Sequence, residues 1–184
     1  MQKLIRCSMF VLLAVASAGG VFYPDGATTL HFAFEGSPNG DRPIIRPPAF
    51  YRADDGFGFV DSPELRGTSR GVTAAKYFRF DVNVPPGLYD VTVICGGTSE
   101  ESVTSVQAEN HKPMLKDLRA AGRQSATGTF TIEVKHGPAG ATAMDQDARL
   151  NLEFIGTNPS LMKLDIQPTQ AAPATQPAAS VPGN

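Results

Sequence analysis

The sequence predicts an all-β fold, an antiparallel β-sandwich, on three observations. Apolar and polar residues alternate with a period of two through most of the chain between Val21 and Ile166. No segment of twelve or more residues there shows a clear 3.6 period, and Pro, Gly, Asn and Asp punctuate the runs at short intervals. Alternation marks a half-buried strand. Many short strands with turns between them, and no helices for parallel crossovers, favour two packed antiparallel sheets over an α/β fold.

The elements follow in order. Leu30, Phe32 and Phe34 alternate with Thr29, His31 and Ala33 in the first strand, and Phe78, Phe80, Val82 and Val84 alternate with Tyr77, Arg79, Asp81 and Asn83 in another. Pro85-Pro86-Gly87 then leads into Leu88 to Cys95, with Tyr89, Val91, Val93 and Cys95 on one face, before Gly96-Gly97. A tight Pro-Gly turn predicts that these two strands pair as neighbours. Further strands are expected at Val103–Ala108, Met114–Leu118, Thr127–Lys135, Arg149–Ile155 and Leu161–Ile166. Ser37 to Thr73 differs, being long and rich in Pro, Gly and charge, and it holds four of the 15 aromatics within Phe50–Phe59. Loops of that length in a compact domain are usually functional or mobile.

The two ends of the chain read differently. Lys3 and Arg6, an apolar stretch from Met9 to Ala16, and Ala16-Ser17-Ala18 have the layout of a secretory signal peptide, residues 1–18, cleaved after Ala18. The apolar run is too short for a membrane span, which needs about 20 residues. The expectation is export to the periplasm or the extracellular space, with no span left after cleavage. Residues 167–184 hold four Pro and five Ala with no charge and no aromatic. Such a stretch cannot bury enough apolar surface to offset its ordering entropy and reads as a tail or linker. A single domain is expected over 19–166. With Cys7 cleaved away only Cys95 remains, so no internal disulfide is available, and a lone Cys ending an apolar strand is expected to be a small buried hydrophobe.

Composition narrows the function. The chain is 41% apolar and 18% charged with a formal charge of -2, which suits a globular domain and disfavours nucleic acid as a partner. Gly67-Thr68-Ser69-Arg70-Gly71 fits the G-x-S-x-G nucleophile elbow, but that device needs a buried strand turning into a helix, and the flanking residues supply neither. Neither His31, His111 nor His136 follows an Asp by three residues, and no Gly-Asp-Ser block occurs. No Cys or His pair has zinc spacing, and Glu133 and His136 are three apart on a strand, where they face opposite sides. The expectation is a protein that is not an enzyme. Asp54-Asp55 and Asp145-Gln146-Asp147, helped by Glu35 or Asp41, are the oxygen clusters a structural Ca2+ would use, but a solvated loop is the preferred reading of each. No cofactor is expected.

Phe80-Asp81-Val82-Asn83-Val84-Pro85-Pro86-Gly87-Leu88-Tyr89-Asp90-Val91-Thr92-Val93, followed by Val106-Gln107-Ala108-Glu109-Asn110-His111-Lys112-Pro113-Met114-Leu115, carries a resemblance. The block is similar to the galactose-binding-like β-sandwich that precedes the catalytic domain in rhamnogalacturonan acetylesterase-like SGNH esterases and occurs in some β-agarases. Phe32-Ala33-Phe34-Glu35-Gly36 and Asp55-Gly56-Phe57-Gly58-Phe59 resemble that module's opening strand and its Gly-aromatic-Gly-aromatic turn. Thr129 to Val134 and Leu150 to Phe154 resemble its closing strands. The resemblance spans most of residues 28–166 and implies a jelly roll with a role in glycan contact. In those esterases a catalytic domain follows the last strand; here a Pro/Ala-rich stretch stands in that place, and esterase activity is not carried over.

Sugar binding needs an aromatic face for the apolar side of a pyranose and planar polar groups for its hydroxyls. The chain has no Trp. Tyr51 is the better exposed platform; Phe57 and Phe59 could stack too, but are also placed to cover the open end of the core. Arg52, Asp54, Asp55, Asn110 and His111 could supply the polar groups if their two loops share one end of the sandwich. The leading expectation is a secreted, non-catalytic carbohydrate-binding-like module for plant or algal cell-wall polysaccharide or its oligosaccharides. The alternative is a protein-interaction or structural module docking on a separately encoded carbohydrate-active enzyme or an envelope component.

Overall fold

A computed structural model describes residues 29–34, 45–47, 49–109, 111–135 and 149–169. The expected signal peptide, the tail from residue 170 onward, Asn110, Glu35, Asp41 and Asp145 to Asp147 lie outside the described residues.

The chain forms a sandwich of antiparallel sheets. One has four strands in the order β1 (Leu30–Ala33), β12 (Lys163–Pro168), β6 (Gly87–Gly96) and β9 (Ser125–Val134). The other has five, in the order β2 (Phe57–Val60), β5 (Tyr77–Asn83), β10 (Arg149–Thr157), β7 (Ser102–Ala108) and β8 (Lys112–Ala120). A small third sheet joins β11 (Ser160–Leu161), β4 (Val72–Thr73) and β3 (Arg66–Gly67). The ladders are antiparallel throughout.

Period-two alternation delivers the core. Phe78, Phe80 and Val82 on β5 and Leu150, Leu152 and Phe154 on β10 turn inward to meet Val91, Val93 and Cys95 on β6 and Leu164 and Ile166 on β12, all essentially inaccessible. Phe80 is the hub, its ring centroid 5.1 Å from Phe59, 5.2 Å from Phe34 and 5.4 Å from Phe32. Burying one such ring contributes about 1.5–3 kcal/mol before any aromatic geometry is counted. Cys95 is wholly buried, and desolvation pushes its thiol up to about 12. It behaves as the small hydrophobe its position suggests.

Each expected strand is present, with three corrections. The two strands flanking Pro85-Pro86-Gly87 are not neighbours: β5 pairs with β2 and β10, and β6 pairs with β12 and β9. Two consecutive prolines remove both N–H groups and fix both φ angles, so the segment cannot close a hairpin ladder. It instead carries the chain across the sandwich, and the Tyr89 hydroxyl donates to the Pro85 carbonyl at 2.7 Å. Secondly, the expected Leu161–Ile166 strand is divided at Met162 between β11 and β12. β12 runs on to Pro168, and the Thr169 N–H donates to the Leu88 carbonyl at 2.8 Å, so the folded unit passes the Ile166 boundary. Thirdly, the supposed loop Ser37–Thr73 holds three short strands. In β2, Gly58 has φ 152°, and a Cβ there would lie 2.4 Å from the Tyr51 backbone. Glycine is what lets the 50–52 segment lie on the strand.

Candidate functional site

β5, β7 and β10 run between two ends of the sandwich, and their termini sort the polar residues into two groups. At one end lie Asn83 closing β5, Arg149 opening β10, Phe57 opening β2 and the Ala108–Lys112 turn between β7 and β8. At the other lie Ala74–Ala75 leading into β5, Asn158 after β10, Gly97–Glu100 between β6 and β7, Arg123 between β8 and β9, and the Arg66–Thr73 hairpin.

The first end contains every site residue expected from sequence that the structure describes. Tyr51 and Phe57 are half-buried there, while Arg52, Asp54, Asp55 and His111 are exposed. The outward face of the five-stranded sheet carries Arg79 and Asp81 on β5 and Arg149, Asn151 and Glu153 on β10. Asp81 is fully buried and accepts from Arg79 Nε at 2.7 Å and from Arg79 Nη2 at 2.8 Å, with Arg149 Nη1 at 3.6 Å. That bidentate hydrogen bond holds the Arg79 guanidinium above its usual range. Tyr51 is not the open platform expected of it. Arg149 sits over its ring, 4.1 Å from the centroid, and its hydroxyl donates to Asn83 Oδ1 at 2.8 Å. Phe57 packs against Phe32 at 5.3 Å and lines the core.

The remaining candidates divide. Arg52, Asp54 and Asp55 are exposed on the turn before β2, Arg52 Nε lying 3.8 Å from Asp55 Oδ2. His111 stands across β5 and β10 from them, and its Nδ1 meets Glu153 Oε2 at 2.5 Å. Neighbouring Glu109 accepts from Asn151 N at 3.2 Å and from Asn151 Nδ2 at 3.3 Å. Burial pushes its carboxyl above the usual range despite the Asn151 backbone N–H. Among the described residues, no group of three His, Cys, Asp or Glu side chains is arranged to hold a metal.

The second end opens into a cleft of about 680 Å³, lined by the 66–75 segment, Gly97 to Glu100, Arg123 and Asn158. Its walls are held by backbone. Thr68 N–H donates to the Gly71 carbonyl at 2.7 Å, closing the hairpin, and Arg123 N–H donates to the Thr98 carbonyl at 2.6 Å. Gly97, at φ 71°, lets the Arg70 side chain come close: a Cβ there would lie 2.9 Å from Arg70 Cβ. Asn158 Nδ2 donates to Glu100 Oε2 at 3.2 Å. Ser69, the centre of the G-x-S-x-G string, stands at the tip of this hairpin, and among the described residues neither His nor Cys lines the cleft. The string is the loop of the β3–β4 hairpin and not a strand-to-helix nucleophile elbow.

Sequence reasoning missed this end because its residues are scattered from 66 to 158. A signal was present: Gly67-Thr68-Ser69-Arg70-Gly71, Gly96-Gly97-Thr98-Ser99 and Ala121-Gly122-Arg123-Gln124-Ser125 are three turns that each combine Gly with small hydroxyl residues, two of them with Arg.

No protein-family model matches the chain, and no curated protein matches it. Among solved structures, the chain is similar to protein YxiM from Bacillus subtilis at 26% identity and a TM-score of 0.58, over 77% of this chain and 40% of that one. It shares a sandwich with that protein and spans less than half of its length. Weaker likenesses are to the CBM36-1 domain of a multidomain xylanase from the hindgut metagenome of Trinervitermes trinervoides (13% identity, 79% of this chain and 100% of that one, TM-score 0.38) and to CBM35 from Paenibacillus barcinonensis (14%, 65% and 98%, TM-score 0.35). TM-scores below 0.5 transfer neither a ligand nor a site. The fold itself is an all-β antiparallel sandwich, as the alternation predicts.

Proposed function

We propose that the chain is an exported, non-catalytic carbohydrate-binding module that holds its glycan in the cleft between the 66–73 hairpin and the 97–100 segment, contacting plant or algal cell-wall polysaccharide. The observation that carries this reading is the lining. At about 680 Å³ the cleft lies within the roughly 300–1,000 Å³ of small-molecule sites. Thr68, Ser69, Thr73, Thr98, Ser99 and Asn158 surround it with hydroxyl and amide groups suited to a polyhydroxylated ligand. Among the described residues, no His lines the cleft to activate Ser69, and binding without turnover is the reading we adopt. Resemblance to the galactose-binding-like module of rhamnogalacturonan acetylesterase-like esterases supports the same reading, as do the features of a secretory signal.

Among the described residues no aromatic ring lines the cleft, which makes recognition a matter of hydrogen bonds and charge. Affinities in the micromolar to millimolar range are therefore expected. Isothermal titration of the full chain against galactose-, rhamnose- and galacturonate-containing oligosaccharides tests the proposal. Saturable heats for at least one are expected. Flat heats at millimolar ligand across the panel would overturn it and leave the protein-docking alternative standing.

A further inference from the structure

Seven of the described arginines fall into two populations. Arg52 lies 3.8 Å from Asp55, Arg79 and Arg149 converge on Asp81, and Arg119 lies 3.5 Å from Glu101. Each therefore has a carboxylate partner from the chain itself. Arg66, Arg70 and Arg123 all line the cleft, and none has an ion-pair partner among the described residues. Among the described residues Glu100 is the one carboxylate of the lining, and Asn158 donates to it. A chain of formal charge -2 thus gathers three guanidiniums and a single described carboxylate around this cleft.

Their placement is built into the walls. Arg70 Nη1 donates to the Arg123 carbonyl at 3.0 Å, fixing the hairpin tip to the turn between β8 and β9. Gly122 allows that turn its approach to the 97–100 segment, since a Cβ there would lie 2.7 Å from the Ser99 carbonyl oxygen. The Ser69 and Ser99 hydroxyls stand on opposite walls with no hydrogen bond to any described residue. Three guanidiniums that the fold leaves unpaired, held on short tethered turns beside free hydroxyls, form a receptor for a planar or tetrahedral oxyanion attached to a hydroxyl-rich body.

We infer that the cleft selects anionic glycans, oligosaccharides whose carboxylate or sulfate-ester groups pair with Arg66, Arg70 and Arg123. This rests on the cleft being the glycan site and adds the charge of the ligand. Uronate carboxylates and sulfate esters offer the same chemistry to an arginine fork, and the test separates them.

Titration of the full chain against trigalacturonate, a sulfated galactan tetrasaccharide and neutral galactotriose, at low and high NaCl, reads the selectivity. At least one anionic ligand is expected to bind about tenfold or more tightly than the neutral one, with an advantage that shrinks as salt screens the pairs. The stronger of the two anionic arms names the group. Arg66→Gln and Arg70→Gln are each expected to weaken anionic binding about five- to tenfold and neutral binding by clearly less, so that the anionic preference falls. Arg119→Gln, which removes a paired arginine outside the cleft, is expected to change neither. Thermal melting of each variant confirms that it folds, and Arg66→Gln stands in if Arg70→Gln loosens the hairpin. Equal affinity for neutral and anionic ligands, unaffected by either cleft variant, would overturn the inference and keep the glycan reading. No binding of any ligand would overturn both.

Discussion

The two ends of this sandwich are built from the same residue types and use them in opposite ways. At the Tyr51 end the charges are turned onto the outward sheet face and pair with each other: Arg79 and Arg149 on Asp81, His111 on Glu153, with Tyr51 lying against Arg149. At the Arg70 end the arginines stand over a cleft, and the chain supplies them no partner among the described residues. A charge that is buried and paired maintains the fold, and removing its partner is costly. A charge left unpaired beside a cleft contributes little to stability and is available to a ligand. Residue type alone therefore does not locate a site; the pairing does.

That contrast is sharpest at Asp81. Its side chain is fully buried while Arg79 is 28% and Arg149 14% exposed, so Asp81→Ala leaves two largely desolvated guanidiniums without their carboxylate. The expected loss is about 3 kcal/mol in urea unfolding. A loss under about 1 kcal/mol would mean that the pairing does not maintain this face. At the opposite end, Gly97→Ala forces a side chain into the left-handed region and against Arg70. It is expected to cost on the order of 1–3 kcal/mol and to weaken ligand binding as well, because it displaces an arginine.

How much of this was legible in the sequence depends on which property is asked for. Alternation around Phe78-Phe80-Val82 and Leu150-Leu152-Phe154 gives the strands and their inward faces, because burial on one face of a sheet forces a period of two. It does not give partners. Pro85-Pro86-Gly87 has the composition of a turn, and whether a turn closes a hairpin or crosses to the other sheet depends on which N–H groups the ladder needs. The Tyr51 cluster has the aromatics of a binding surface, yet whether a ring is an open platform depends on what lies over it, here Arg149 from nearly a hundred residues away. The cleft was least legible, since it exists only where turns distant in sequence meet.

Smaller effects refine the contrast. Tyr51→Phe keeps the ring under Arg149 and removes the hydrogen bond to Asn83, so a loss of about 0.5–1.5 kcal/mol is expected in denaturant unfolding, with glycan affinity unchanged. A fall in affinity would return the site to the Tyr51 end. The smallest effect is one of pH. Burial raises the folded-state pKa of Glu109 above its unfolded value, so its contribution to stability is fully present below the unfolded value and is lost as pH rises through the folded one. Glu109→Gln preserves the acceptor for Asn151 and removes the buried charge. Thermal melts from pH 4 to pH 7 are expected to show the variant gaining on the parent as pH rises, and a constant difference would contradict that.

One measurement compares the two ends directly: backbone amide chemical shifts of the full chain, followed as the tightest-binding anionic oligosaccharide is added. The shifts are expected to concentrate at Arg66 to Ala75, Gly97 to Glu100, Arg123 and Asn158, and to leave Phe50 to Phe57 and Glu109 to Lys112 in place. Perturbation centred on the Tyr51 and His111 loops, with the cleft unmoved, would contradict the account.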